Sequence, residues 1–153
     1  MKEQQEMRLT SPAFKDGEAI PEKYTCDGDN VNPPLALAYV PPGTKSLALV
    51  IDDPDAPHGT FTHWMVWNIS PRQERIEENA ELRETVCGRN SWGHNSYGGP
   101  CPPSGTHHYH FMLYALNATL DISGNSNREA LADAMEDHII AVAQLVGLYT
   151  KKG

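Results

Sequence analysis

This sequence predicts a β-rich α+β domain, with mostly antiparallel strands and one helix late in the chain. Three observations carry that reading. Short segments alternate apolar and polar side chains with period two. Twelve prolines and twelve glycines are spread through 153 residues, which favours short strands and many turns. Helical spacing stands out near residue 130. Such a sheet needs closure or two-layer packing to manage its edges.

Taken in order, residues 1–6 read as a loose polar tail and residues 7–153 as one domain, a length that can bury a real core. Met7 to Phe14 holds a short strand broken at Pro12. Asp16-Gly17, between Phe14 and Ile20, suggests a hairpin. Cys26-Asp27-Gly28-Asp29-Asn30 looks like part of a calcium loop. The twelfth position from Asp27 is Ala38, not glutamate, and no helices flank it, so a structured turn is the better reading. Leu35 to Val40 is a strand that ends at Pro41-Pro42-Gly43. Ser46 to Asp52 (SLALVID) is nearly all apolar and reads as a central strand buried on both faces. Phe61 to Ser70 is another strand, with Phe61, His63, Met65 and Trp67 on one face and Thr62, Trp64, Val66 and Asn68 on the other.

Residues 71–87 are highly charged and read as a solvated connection. A polar loop, Gly88 to Tyr97, follows. Ser126-Asn127-Arg128-Glu129 has the form of a capping box and opens a helix over about 127–140. Ala141 to Tyr149 either extends that helix or forms a final strand.

The formal net charge of −8 argues against a nucleic-acid groove or a polybasic membrane surface. Met1 to Thr10 lacks the apolar core of a signal peptide, and no apolar run approaches the ~20 residues that span a bilayer. The expected location is therefore cytoplasmic. Three cysteines, Cys26, Cys87 and Cys101, are an odd number, and in that compartment free thiols are the expectation. A Cys26–Cys101 pair stays open.

The stretch that concentrates chemistry is Gly98 to Leu113 (GGPCPPSGTHHYHFML). Its prolines and glycines make a stiff loop. The strand after it, Thr106 to Asn117, puts His107, Tyr109, Phe111 and Leu113 on one face. His108, His110, Met112 and Tyr114 lie on the other. Asp53 ends the most apolar strand, and His63 lies in the next. Imidazoles, a phenol and loop amides are mostly hydrogen-bond donors, which suits phosphate, sulfate or carboxylate oxygens. Asp53 would fix a histidine tautomer and favour its charged form. With no Lys or Arg in these strands, binding should be modest and depend on pH. No cofactor and no metal are expected.

Two enzyme readings compete. His108-Tyr109-His110 is an H-x-H pair spaced to chelate zinc, with His63, His107 and Asp53 as further candidates. His107 points away from that face, however. A thiol hydrolase would use Cys101 as nucleophile, His107 or His63 as base and Asp53 as orienter. Pro102 removes the following amide that often helps build an oxyanion hole.

Three blocks taken together, DPDAP (Asp53–Pro57), His63-Trp64-Met65-Val66-Trp67-Asn68, and GPCPPSG (Gly99–Gly105) running into His107-His108-Tyr109, resemble the phosphatidylethanolamine-binding protein family, also called the Raf kinase inhibitor protein family. The shorter bacterial and archaeal branch is the better match. Tyr24-Thr25-Cys26-Asp27-Gly28, Pro33-Pro34-Leu35 and Asn90-Ser91-Trp92-Gly93 support it, and the similarity runs from about residue 7 to 150.

The resemblance implies an antiparallel Greek-key β-sheet sandwich with a peripheral helix near the C-terminus, and a strand after that helix. It implies a small anion pocket for phosphate-bearing groups built from Asp53, His63, His107 and Tyr109, with Gly99, Pro100 and Cys101 in its wall. Phe61 falls where some relatives have Trp, at the rim. The donor-rich cluster, with no complete nucleophile or metal set, points to a non-catalytic binding protein, and the resemblance further implies a homodimer and, as in some members of the family, a regulator or inhibitor of a kinase or protease partner. The chain lacks the longer C-terminal region of the eukaryotic proteins, so kinase regulation does not carry over.

Overall fold

Leu47, Leu49 and Ile51 alternate with Ala48 and Val50 along β4 (Ser46–Asp53), and all five are buried. A strand with no polar face needs a partner layer on each side. Each large side chain fully buried there contributes roughly 1.5–3 kcal/mol. The computed structural model, which describes residues 6–152, supplies both layers. Residues 1–5 of the expected 1–6 tail, and residue 153, lie outside the described residues.

β4 is flanked by β5 (Phe61–Ile69) and β8 (Thr106–Leu116), both antiparallel. β8 pairs along its length with β9 (Ile139–Thr150). β7 (Val86–Cys87) pairs with β5, and β2 (Glu18–Ala19) joins β9. The order is β2-β9-β8-β4-β5-β7. β4, β5 and β7 are successive neighbours and β8 returns beside β4, which is the Greek-key arrangement. A smaller antiparallel sheet has the order β1-β3-β6, from β1 (Arg8–Thr10), β3 (Leu35–Ala38) and β6 (Arg75–Ile76).

The main core lies between the sheets. Leu9, Leu35, Leu37 and Ile76 face Leu49, Ile51, Trp64, Phe111 and Leu113. On the other face of the large sheet, Ala48, Val50, Met65 and Trp67 pack under Leu131 and Met135 of α1 (Arg128–Met135). This is the sandwich with a peripheral helix that the resemblance implied.

Several expectations need correction. Asp16-Gly17 is a turn, with Gly17 at φ 82°, but no hairpin forms there. β1 pairs instead with β3, and β2 runs parallel to β9, the one departure from antiparallel pairing among the described strands. Asp16 accepts the Val146 amide, so the turn docks onto β9 rather than folding back. The helix stops at Met135, not near 140, because the β-branched run from Ile139 pairs with β8. Its cap is Asn127, whose side chain accepts from the Ala130 amide, rather than Ser126. Residues 71–87 are not wholly solvated, since Ile76 of β6 is buried in the main core. The Asp27 carboxylate accepts the Tyr149 hydroxyl at 2.6 Å, so that turn is tied to β9. Cys26 and Cys101 form a disulfide, which overturns the free-thiol expectation for both and leaves Cys87 free.

Candidate functional site

Period two along β4 puts Asp53 on the same face as Leu49 and Ile51, at the strand's end. The same rule along β8 puts His107 and Tyr109 with Phe111 on the inner face, all buried. His63 arrives differently. Alternation on β5 would send it to the helix side with Met65 and Trp67. The pairing of β4 with β5 instead shifts register, from Ile51 opposite Trp64 to Asp52 opposite Thr62. His63 is the extra residue of a β-bulge, and bulges re-aim side chains. It therefore turns to the inner side, beside Tyr109 at 5.2 Å between ring centroids.

His107 Nδ1 and Asp53 Oδ2 are 2.6 Å apart, with both residues buried. The carboxylate accepts, so Nδ1 carries the hydrogen and Nε2 lies across the ring. Asp53 Oδ1 also accepts the Asp55 amide at 2.9 Å. The aspartate thus stops its strand and orients a histidine at once. His63 Nδ1 lies 2.8 Å from the Gly98 carbonyl, which can only accept, so here too Nδ1 donates. Burial pushes the His63 pKa down, partly opposed by the Gly98 carbonyl and the Asp53 charge. The Tyr109 hydroxyl is buried with no hydrogen bond among the described residues. Burial first, then Asp53, push its pKa well up, while the Cys101 amide, outside hydrogen-bond geometry, pulls the other way. The phenol is therefore a proton-bearing donor at neutral pH.

These groups line a cavity of about 460 Å³. Its far side is the 56–60 loop with Phe61, and its wall includes Cys101, Pro102 and Pro103. Trp92 edges against Phe61 at 4.6 Å and against His63 at 5.0 Å, making an aromatic rim. Trp92 is held by Asn90, a buried side chain whose Oδ1 accepts the Trp92 and His94 amides. Sequence reasoning placed Asn90 to Gly93 only within the resemblance. An asparagine inside a polar loop, ahead of a lone tryptophan, was the signal available.

The structure thus brings Asp53, His63, His107, Tyr109 and Cys101 to one cavity. Gly99 and Pro100 stand behind it. The Gly99 amide donates to Asn30 at 2.8 Å, and the Pro100 carbonyl accepts from Cys26. The Gly98 amide is used on the His63 carbonyl. The glycine amides expected to face an anion are committed inward, where side chains would collide with Tyr24 and Asn30 at Gly99.

The enzyme readings fare poorly. Cys101 is bonded to Cys26, so it holds no thiolate nucleophile. His108 and His110 lie on the outer face, where His108 Nδ1 pairs with Asp55 at 2.7 Å. That pairing holds the Asp55 carboxyl below its usual range. Among the described residues, no three His, Cys, Asp or Glu side chains come together as a metal set.

Fold and geometry define a two-sheet β protein with a small polar-floored pocket at the sheet ends. The sequence profile described as phosphatidylethanolamine-binding protein matches residues 10–150. A UPF0098 protein of Pyrococcus abyssi is 47% identical over 156 residues, covering 97% of this chain and 88% of its own. A UPF0098 protein of Methanothermobacter thermautotrophicus is 47% identical over 150 residues, covering 95% and 99%. Among solved structures, a putative phosphatidylethanolamine-binding protein homologue of Chlamydia trachomatis, CT736, superposes with a TM-score of 0.91 at 43% identity, over 96% of this chain and 99% of that one. YbcL of E. coli, described as a new member of the mammalian family, gives 0.91 at 32% identity, over 97% and 100%. The chain belongs to the phosphatidylethanolamine-binding protein family, in its bacterial and archaeal branch.

Proposed function

We propose that this chain is a non-catalytic binding protein whose end pocket takes a small phosphate-bearing group. One observation carries the reading. Two buried imidazoles commit their Nδ1 hydrogens backward, to Asp53 and to the Gly98 carbonyl, and Tyr109 keeps an unpaired hydroxyl beside them. An anion that accepts from Nε2 of both rings and from the phenol would satisfy all three. Asp53 is compatible with that anion because its charge already faces His107 Nδ1 and the Asp55 amide. Pro57, Phe61, Trp92 and Pro103 offer apolar contact to the organic part of the ligand.

The pocket holds no Lys or Arg. Affinity then rests on imidazolium and hydrogen bonds and rises as pH falls. Occupancy would be read by a protein partner, in the manner of a regulator or inhibitor, and the working form is a homodimer. Sedimentation equilibrium tests the last point, and a monomer at high concentration would remove it. The Cys26–Cys101 disulfide weighs against the expected cytoplasmic location, because disulfides persist mainly in oxidising compartments and in intracellular proteins of hyperthermophiles. No helix among the described residues is long and apolar enough to cross a membrane.

The deciding experiment is an amide and imidazole NMR titration with orthophosphate and O-phosphoethanolamine on metal-free protein, at about pH 6 and about pH 8. Saturable shifts are expected at His63, His107, Tyr109 and Cys101, larger at the lower pH. No shift at these residues at either pH would sink the phosphate reading.

A further inference from the structure

A second surface, on the small sheet, is unlike the rest of this acidic chain. The inner residues of that sheet, Leu9, Leu35, Leu37 and Ile76, are buried in the main core. Its outer face carries Arg8 opposite Ala38 and Arg75 opposite Ala36, so two arginines flank a strand floored by alanines. Arg72 and Arg75 line a groove of about 770 Å³ together with Tyr39. Three of the chain's six arginines are thus gathered here, although acidic residues outnumber basic ones 20 to 12 overall. Among the described residues none of the three forms an ion pair. The exposed Glu74 is the acidic residue in the groove, set against the two arginines that line it and Arg8 beside it.

Tyr39 marks the centre. Its φ is 60°, in the left-handed region that bulky residues rarely occupy. The ring gains no burial from that conformation, being 51% exposed. It lies under the Arg8 guanidinium, 5.7 Å from ring centroid to Cζ. Exposed tyrosine and unpaired arginine are the side chains that anchor protein interfaces most often.

We infer that this groove is a docking surface for an acidic peptide segment of a partner protein. Charge complementarity selects the occupant: guanidiniums with no ion pair among the described residues can meet carboxylates in bidentate geometry. A bilayer or a nucleic-acid duplex fits less well. Both present broad polyanionic surfaces to a molecule of net charge −8, and a flat bilayer cannot enter a groove between β3 and the 71–75 segment. A narrow acidic segment reaches the arginines without meeting the rest of the surface. The inference stands on a different sheet from the end pocket and does not depend on what that pocket binds.

The test uses the full chain and a fluorescein-labelled hexaglutamate peptide, followed by anisotropy at low and near-physiological salt. Saturable binding is expected, weakening as salt rises. The Arg8→Glu/Arg75→Glu variant should bind on the order of tenfold more weakly or worse. Its thermal unfolding and its phosphate-induced NMR shifts should be unchanged, because both positions are exposed and lie outside the end pocket. Tyr39→Ala should weaken binding as well. Absence of hexaglutamate binding at low salt would overturn the inference, as would equal binding by the double variant. Binding to phosphatidylserine vesicles without binding to the peptide would overturn it in favour of a membrane.

Discussion

Asp53 and His107 meet at 2.6 Å inside the protein, from the end of one strand and the start of another 54 residues later. The carboxylate fixes which imidazole nitrogen bears the hydrogen, and the imidazole gives a buried carboxylate the partner it needs. The pair sets up the pocket, and its removal makes a direct prediction. Asp53→Asn keeps the shape but removes the charge. Orthophosphate binding should weaken by about tenfold or more, and the chain should lose about 1–3 kcal/mol of stability as a buried charge-assisted hydrogen bond becomes a neutral one. Urea unfolding together with the NMR titration measures both.

Tyr109→Phe should separate the two quantities. The hydroxyl is buried without a partner among the described residues, so its removal should leave stability unchanged or raise it by about 1 kcal/mol. Anion affinity should fall, because one donor is gone. A variant that loses stability and keeps its affinity would place the hydroxyl's role in the fold rather than in the pocket.

His63 predicts a pH dependence with a definite sign. Its folded-state pKa is depressed by burial. The unfolded chain therefore takes up a proton that the folded chain refuses. The stabilising contribution is full above the unfolded value near 6.5 and is lost as pH falls below it towards the folded value. Unfolding free energy should decline over that acid range in the parent, and His63→Gln should flatten the decline. An anion at Nε2 favours the charged ring, so phosphate binding near neutral pH should take up protons. Calorimetry in two buffers of different ionisation enthalpy reads that uptake. Equal observed heats in the two buffers would count against His63 as an anion contact.

The disulfide couples two loops. Cys26 and Cys101 are 75 residues apart, and Cys101 lines the cavity. A bridge that closes so long a loop contributes roughly 2–4 kcal/mol. Cys26→Ser/Cys101→Ser should unfold at correspondingly lower denaturant and bind phosphate more weakly, since the 98–103 wall loses its tie. Thiol counting on the denatured, unreduced parent should find Cys87 alone reactive.

Gly99→Ala tests the wall from behind. A side chain there would collide with the Tyr24 carbonyl and the Asn30 side chain. The expected cost is about 1–3 kcal/mol from forced backbone movement, read by thermal unfolding, with a smaller loss if Asn30 is shortened at the same time.

Much of this molecule was legible in the order of its residues. β4 announced itself by an apolar run with no polar face, since only a strand covered on both sides tolerates one. Period two was enough to put His107 and Tyr109 together, and Asp53 could be placed at a strand end by the proline that follows it. These are local properties, set by backbone geometry over a few residues. The tertiary structure decided the rest. His63 reaches the pocket only because a bulge, visible in the pairing of β5 with β4, turns it off its predicted face. The hairpin expected at Asp16-Gly17 gave way to docking on β9, because Asp16 found the Val146 amide far along the chain. The glycine amides turned inward because Asn30 and the His63 carbonyl lay behind them. The Cys26–Cys101 bond likewise required two loops to meet. Local pattern specifies which face a side chain takes within a regular strand. Irregular pairings and contacts between distant segments are settled by packing energies summed over the whole fold, and no window of sequence contains them.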